Sequence, residues 1–371
     1  MTPLPDSFCP TDGTRVPAGS LAWCCPLCRG PLDLDFSPTP APLKSLTGRV
    51  NSLWRYAEVL PLATPSASLG EGRTPLVALK NGISAKLDYL MPTLSFKDRG
   101  AVLLAELALR LRPSRIVADS SGNAGTAVAA YCARAALPCT VYVPFGTSSK
   151  KLEQIGAHGA RVEVVRGGRE ATAAVAREAA DDPDAFYASH AYNPYFLHGT
   201  KTYVHELWED LGGRLPQVLV VPAGNGTLLL GAALAVAELY GAGLLDRRPA
   251  LWAVQAAAVA PLAAAWRADA DDLVEAIPAA DTLAEGIAIP RPPRARQILR
   301  AVRDSGGTFL TVTEDQIRHA QLDLASRGLY VESTSAVCWA AVREGALGDR
   351  TAVVPLCGAG LKSGLAASSG A

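Results

Sequence analysis

The chain has no net charge: 35 lysines and arginines face 35 aspartates and glutamates among 371 residues. Without a basic excess there is little bulk attraction for nucleic acid or for an anionic membrane surface. Long apolar runs are missing as well. The most apolar stretch, Gly226 to Leu245, carries Glu238 and three internal glycines, and reads as a buried helix, not a membrane span. The opening residues "MTPLPDSFCP" have neither the basic region nor the apolar core of a secretory signal, so a cytoplasmic protein is expected. There is no G-x-S-x-G serine motif, no Walker lysine pattern and no repeat of solenoid period. The five histidines form no close-spaced metal pair; His198 and His205, seven apart, read as packing or surface residues.

What is present is a composition rich in alanine, glycine and proline, long enough for two domains and a large core. In a reducing compartment the eight cysteines are expected as thiols or metal ligands. Four of them, Cys9, Cys24, Cys25 and Cys28, lie in the first 28 residues. "CPLC" has the spacing of a zinc knuckle, in which two thiolates on a tight turn share one metal. The earlier half, "CPTDG", has Asp12 where a second such pair would place a cysteine. Residues 1–35 are therefore expected as a zinc-ribbon-like segment with Cys9, Cys25 and Cys28 as ligands. Either Asp12 or Cys24 is available as the fourth. The alternative is a ribbon that has lost its metal and keeps its turns. Arg15 and Arg29 are the only basic residues in this segment, too few for a nucleic-acid module.

Residues 36–75 read as a linker and an N-terminal arm, rich in Pro, Ser and Thr at first and then amphipathic over "SLWRYAEVLPL". From there the pattern is α/β. "RIVADSS", "CTVYVP", "ARVEVV", "QVLVVP", "LWAVQ", "GTFLTVT" and "TAVVPLCG" read as strands, with helical segments between them. "TEDQIRHAQLDLASRG" has a T-x-x-Q capping box and a glycine stop. This alternation predicts mostly parallel sheets covered on both faces, with ligands at the C-terminal strand ends. The region 76–371 is expected to be catalytic, with a smaller subdomain at about 115–210 inserted in a larger one.

Three features could carry chemistry. "DSSGNAGTAV" and "VPAGNGTLLLG" are strand–glycine-loop–helix junctions, where backbone N–H groups and a helix N-terminus can receive an anion. "PTLSFKDRG" sets Lys97 at a helix start between Phe96 and Asp98-Arg99. Partial burial would lower its pKa and free the lone pair for a carbonyl. On spacing alone the same lysine also reads as a structural cation paired with Asp98 or Asp119. Cys357, after an apolar strand, also reads as a buried thiol acting as a small hydrophobe.

The motifs "LWRYAEVLPL", "SLGEGRTPL", "PTLSFKDRG", "SSGNAG", "NPYFLHGTKT", "VPAGNGT" and "LCGAGLK", in this order, resemble the threonine synthase family of pyridoxal-phosphate enzymes. The resemblance spans nearly the whole chain. It implies a two-domain tryptophan synthase β-type α/β fold, pyridoxal 5'-phosphate as cofactor, a small amino-acid substrate and a homodimer. It implies that Lys97 holds the cofactor as a Schiff base and later moves protons at the substrate α-carbon. Asn123 is implied to bond the ring hydroxyl, and the backbone from Ser121 through Gly122 and Ala124 to Gly125 to receive the substrate carboxylate. Gly224, Asn225, Gly226 and Thr227 are implied to cradle the cofactor phosphate. Cys357 stands where the family usually has a Thr or Ser facing the pyridine nitrogen. A thiol or hydroxyl there leaves the ring less electron-poor than an aspartate would, which favours elimination over transamination.

The chain departs from the family at three places. Phe196 replaces the usual arginine, which resembles a clamp for the substrate phosphate. Leu94 replaces a glycine, and Ala124 stands where many members have threonine. These changes suit a smaller or less anionic substrate, as in the serine and threonine dehydratases or the cysteine synthases. Another cation, such as Lys201, Arg99 or Lys151, would have to serve the phosphate if O-phosphohomoserine is the substrate.

Overall fold

The computed structural model describes residues 3–62, 65–274, 277–278, 280–362 and 364–365. The chain forms two compact units, Met1–Gly72 with Lys97–Thr202, and Arg73–Phe96 with Tyr203–Ala371. The first unit opens with β1 (Ser7–Phe8), β2 (Arg15–Val16) and β3 (Asp33–Leu34), an antiparallel ribbon in the order β2-β1-β3. The second unit supplies β4 (Leu76–Lys80) and β5 (Ile83–Lys86). The first resumes with α1 (Asp98–Leu111), β6 (Arg115–Ala118), α2 (Asn123–Arg134), β7 (Cys139–Pro144), α3 (Ser149–Ala157), β8 (Arg161–Val165), α4 (Arg169–Ala180), β9 (Ala185–Tyr187) and α5 (Pro194–Thr200). The rest is α6 (Thr202–Asp210), β10 (Val218–Pro222), α7 (Thr227–Gly241), β11 (Ala250–Ala256), α8 (Pro261–Arg267), α9 (Ala295–Asp304), β12 (Thr308–Val312), α10 (Glu314–Ser326), α11 (Ser333–Val342) and β13 (Ala352–Pro355).

The expected parallel sheets are present. The first unit has a four-stranded parallel sheet in the order β8-β7-β6-β9. The second has six strands in the order β12-β11-β10-β13-β5-β4, parallel except for β4 against β5. Every residue of β10, "VLVVP", is buried, as a central strand covered on both faces requires. The capping box of α10 forms as expected. The Thr313 hydroxyl accepts from the Gln316 N–H at 3.3 Å, and the Gln316 side chain accepts from the Thr313 N–H at 2.9 Å. The β4–β5 hairpin is not anticipated from the sequence, although it carries the clearest short-range hairpin signal. Asn81 (φ 48°) and Gly82 (φ 74°) form its two-residue turn, and both positive angles are those a tight hairpin demands. Among the described residues no helix is long and apolar enough to cross a membrane.

Each unit is braced by close contacts in its interior. In the first unit, α1 meets α5 backbone to backbone. A Cβ at Gly199 would lie 2.0 Å from the Arg99 carbonyl oxygen, and one at Gly100 would lie 2.4 Å from the Phe196 ring. Only glycine permits this approach. The same unit ties its arm down through Glu71, fully buried, which accepts from Trp54 Nε1 (2.6 Å), Ser68 Oγ (3.0 Å), the Leu69 N–H (2.8 Å) and the Tyr131 hydroxyl (3.1 Å). In the second unit a buried charge network fastens β5 to α6. Lys86 Nζ lies 3.0 Å from Glu206 and 2.7 Å from Asp210, and donates to the Thr74 carbonyl at 2.5 Å.

Lys86→Met takes the lysine from the fully buried Glu206 carboxylate, while Asp210 keeps Arg73 at 2.8 Å, and is expected to cost about 3–5 kcal/mol in urea unfolding. Gly199→Ala should destabilise by about 1–3 kcal/mol or more, because the clash falls on backbone that cannot step aside. An ordinary helical Gly→Ala change would instead stabilise by roughly 0.5–1 kcal/mol, so the sign of the measured shift decides the point.

Candidate active site

Lys97 is half-buried and directly precedes α1. Its Nζ lies 5.7 Å from the centre of the Phe196 ring. Phe196 is fully buried, with its ring wedged against Gly100 and 5.9 Å from the His190 ring. The position expected to touch substrate therefore serves as the apolar floor under Lys97. Burial first, then the positive charges of Lys97 and Arg169, push the His190 imidazole well below its ordinary pKa and keep it neutral. Asp119, one of the structural partners considered for Lys97, is hydrogen-bonded by Tyr187. Burial raises its carboxyl, against that bond and the charges of Arg169 and Arg177.

Two of the substitute cations are built into the core. Lys201 is fully buried, its Nζ 2.9 Å from His198 Nδ1 and 5.2 Å from the centre of the Phe36 ring. Arg99 is fully buried and donates to Thr202 Oγ1 at 3.0 Å. Lys151 lies in α3 and is half-buried.

The loop Ser120–Gly125 leaves the C-terminal end of β6, a central strand, and enters α2 at Asn123. Ser121, Gly122 and Asn123 are half-exposed, whereas Ala124 is buried. A Cβ at Gly125 would fall 1.7 Å from the Ser120 carbonyl oxygen, so only glycine closes this turn. In the second unit, Gly224, Asn225 and Gly226 follow β10, and Thr227 opens α7. Gly226 has φ 71°, in the left-handed region. A Cβ there would fall 2.3 Å from Ile298 Cδ1, and one at Gly224 would fall 2.9 Å from Ile287 Cα. One side of the loop is thus pressed on α9 and its neighbours. Cys357, buried, follows β13, the neighbour of β10 in the sheet. The segment before Lys97 is stitched to the same turn: the Phe96 N–H donates to the Cys357 carbonyl at 2.8 Å, and the Ala359 N–H to the Leu94 carbonyl at 3.1 Å. Leu94 holds φ 61°. This explains why glycine would suit the position, and why leucine there is strained.

One residue of the site is not apparent from the sequence. Ser95 Oγ is fully buried and has no hydrogen-bond partner among the described residues. A buried hydroxyl left in this way points to a bound group that completes it. Its only sequence signal is a hydroxyl two residues before Lys97 in an otherwise apolar stretch.

In the ribbon, Cys9, Asp12, Cys25 and Cys28 bring one ligand atom each to within 4.8 Å of one another. Cys24 is not among them. It is buried in a separate cluster with Trp23, Val117 and Tyr187.

The chain belongs to the pyridoxal-phosphate dependent enzymes, whose family model matches residues 67–358. Among its relatives, the threonine synthase of Methanosarcina acetivorans is 32% identical over 345 residues, covering 90% of this chain and 84% of that protein. The threonine synthase of Halalkalibacterium halodurans is 32% identical over 335 residues, covering 84% and 90%. The crystal structure of a threonine deaminase from T.th. superposes with a TM-score of 0.67 at 28% identity, covering 78% of this chain and 92% of that one. Maize serine racemase superposes equally well, at 0.67, with 20% identity and coverage of 78% and 88%. The fold is thus the tryptophan synthase β-type α/β fold. The protein is a pyridoxal-phosphate-dependent lyase of the elimination and replacement type. The orphaned Ser95 hydroxyl and the Gly224–Thr227 loop at a helix N-terminus fit a phosphorylated cofactor of this kind.

The folded protein holds His190 neutral, and the unfolded chain protonates it near pH 6.5. Stability should therefore be full above about pH 7 and fall as the pH drops below about 6.5, by up to about 1.4 kcal/mol per unit. Chemical denaturation of His190→Gln across pH 5–8 should lack that component.

Proposed function

We propose that the enzyme acts on an L-amino acid with a leaving group on its β or γ carbon, as a threonine synthase does. O-phosphohomoserine to threonine is the nearest named reaction. The observation that carries this reading is the order along the chain of three features: Lys97 at the start of α1, a glycine loop entering α2 and a second entering α7. Full-length similarity to proteins named threonine synthase supports it.

The bound cofactor supplies an electron sink for charge at the substrate α-carbon. The chain's own residues do the rest. Lys97, half-buried above Phe196, would hold the cofactor through its Nζ, and the same nitrogen would take and return the substrate α-proton. Asn123 donates to the ring hydroxyl. The N–H groups from Ser121 through Gly122 and Ala124 to Gly125 receive the substrate carboxylate at the start of α2. Gly224, Asn225, Gly226 and Thr227 receive the cofactor phosphate at the start of α7. Cys357 would lie toward the ring nitrogen, Ser95 Oγ would be free to bond the cofactor, and neutral His190 keeps a second positive charge away from Lys97. A homodimer remains the expectation from the family.

Phe196 favours a second reading. It is fully buried where the family carries an arginine, and Arg99 and Lys201 are committed to the core. A serine or threonine dehydratase, or a cysteine synthase-type enzyme with a smaller non-phosphorylated substrate, fits these residues.

The cofactor-loaded protein should be mixed with O-phospho-L-homoserine while inorganic phosphate and threonine are followed. Steady release of both supports the first reading. No release, with turnover of serine, threonine or an O-acyl ester, supports the second. In either case borohydride reduction is expected to label Lys97, and Lys97→Ala to lower turnover by about 10²–10⁴-fold or more. Labelling of another lysine would defeat the assignment.

A further inference from the structure

The N-terminal ribbon contains a constellation that the proposed reaction does not use. Cys9 Sγ lies 3.5 Å from Cys28 Sγ, and Cys25 Sγ lies 3.3 Å from Asp12 Oδ2. All four ligand atoms fall within 4.8 Å of one another. These are the separations of ligands around one tetrahedral ion, and they are too long for a disulfide between Cys9 and Cys28.

Two tight turns present these groups, as paired knuckles do. In the first, the Cys9 N–H donates to the Thr14 carbonyl (2.8 Å) and the Gly13 N–H to the Cys9 carbonyl (2.9 Å). In the second, the Cys25 N–H donates to the Gly30 carbonyl (2.9 Å) and the Arg29 N–H to the Cys25 carbonyl (3.0 Å). Backbone donors reach the ligand atoms themselves. The Thr14 N–H bonds Asp12 Oδ1 at 2.9 Å, which leaves Oδ2 toward Cys25, and the Leu27 N–H approaches Cys25 Sγ at 3.4 Å. Such donors stabilise anionic ligands and fix their direction.

We propose that this chain binds one structural zinc ion through Cys9, Asp12, Cys25 and Cys28, with Asp12 as the fourth ligand in place of Cys24. Three thiolates and one carboxylate suit zinc, and four protein ligands leave no position for substrate. The ion closes the ribbon and so fixes the edge that packs on α4 and β9. There Trp23 Nε1 donates to Asp181 at 3.0 Å, Arg29 Nη2 reaches the same carboxylate at 2.7 and 2.9 Å, and the Trp23 ring meets Tyr187 and Tyr192 edge-on at 5.3 and 5.0 Å. Cys24 belongs to that packed edge, which is why it is unavailable to the metal.

The test is elemental analysis of the cofactor-loaded full-length protein, with the cobalt-substituted protein examined by absorption. Expected are one zinc per chain, sulfur-to-cobalt charge-transfer bands, and the visible bands of a tetrahedral site. Cys24→Ser should leave metal content and spectrum unchanged. Asp12→Cys should keep the metal and move the visible band to longer wavelength, because thiolate is the weaker-field ligand. Protein free of zinc from zinc-replete culture, iron in place of zinc, or loss of metal from Cys24→Ser would overturn the proposal. Asp12→Ala should lower metal content; if it fails to fold, the wild-type and Asp12→Cys spectra still decide the point.

Discussion

The site depends on one steric constraint, the absence of side chains at Gly100 and Gly199. Because neither has a Cβ, α1 and α5 meet at backbone distance, and the Arg99 carbonyl lies where any larger residue at 199 would stand. That contact fixes the first turn of α1 and with it the direction of Lys97. It also seats Phe196 beneath the lysine and His190 against Phe196. A flexible amine is thereby held over an apolar ring beside a histidine that burial keeps neutral. The ring faces the Lys97 nitrogen at cation–π range, and the neutral histidine adds no repulsion beside it.

The same economy governs the two glycine loops. Each leaves the C-terminal end of an interior parallel strand and becomes the first turn of a helix, so the positive end of the helix dipole lies at the strand end. Glycine is required on the packed side of each loop, at Gly125 against Ser120 and at Gly226 against Ile298. These loops suit anions in general. Beside Lys97 the chain has the fully buried Phe196 and, three residues before the lysine, a strained Leu94, while Arg99 and Lys201 are enclosed in the core.

Much of this is legible in the sequence because the signals are local. The strand–glycine–helix junctions, the capping box at Thr313 and Gln316, and the apolar strands β7 and β10 each occupy fewer than about a dozen consecutive residues, within the range over which propensity and hydrogen bonding act. The hairpin at Asn81-Gly82 is equally local, and its signal lies in the Asn-Gly pair between two short strands.

By itself the sequence determined the α/β class and most of the strand–helix alternation, since those follow from local patterns along the chain, while the kind of cofactor was implied by the resemblance of its ordered motifs to a family. Only the tertiary structure decided that Asp12 and not Cys24 joins Cys9, Cys25 and Cys28, that Phe196 is a buried floor, that Arg99 and Lys201 are enclosed, and that Ser95 keeps an unanswered hydroxyl. Each of these depends on residues tens to more than a hundred positions apart meeting in a close-packed interior, where a difference of one methyl group decides which side chain fits.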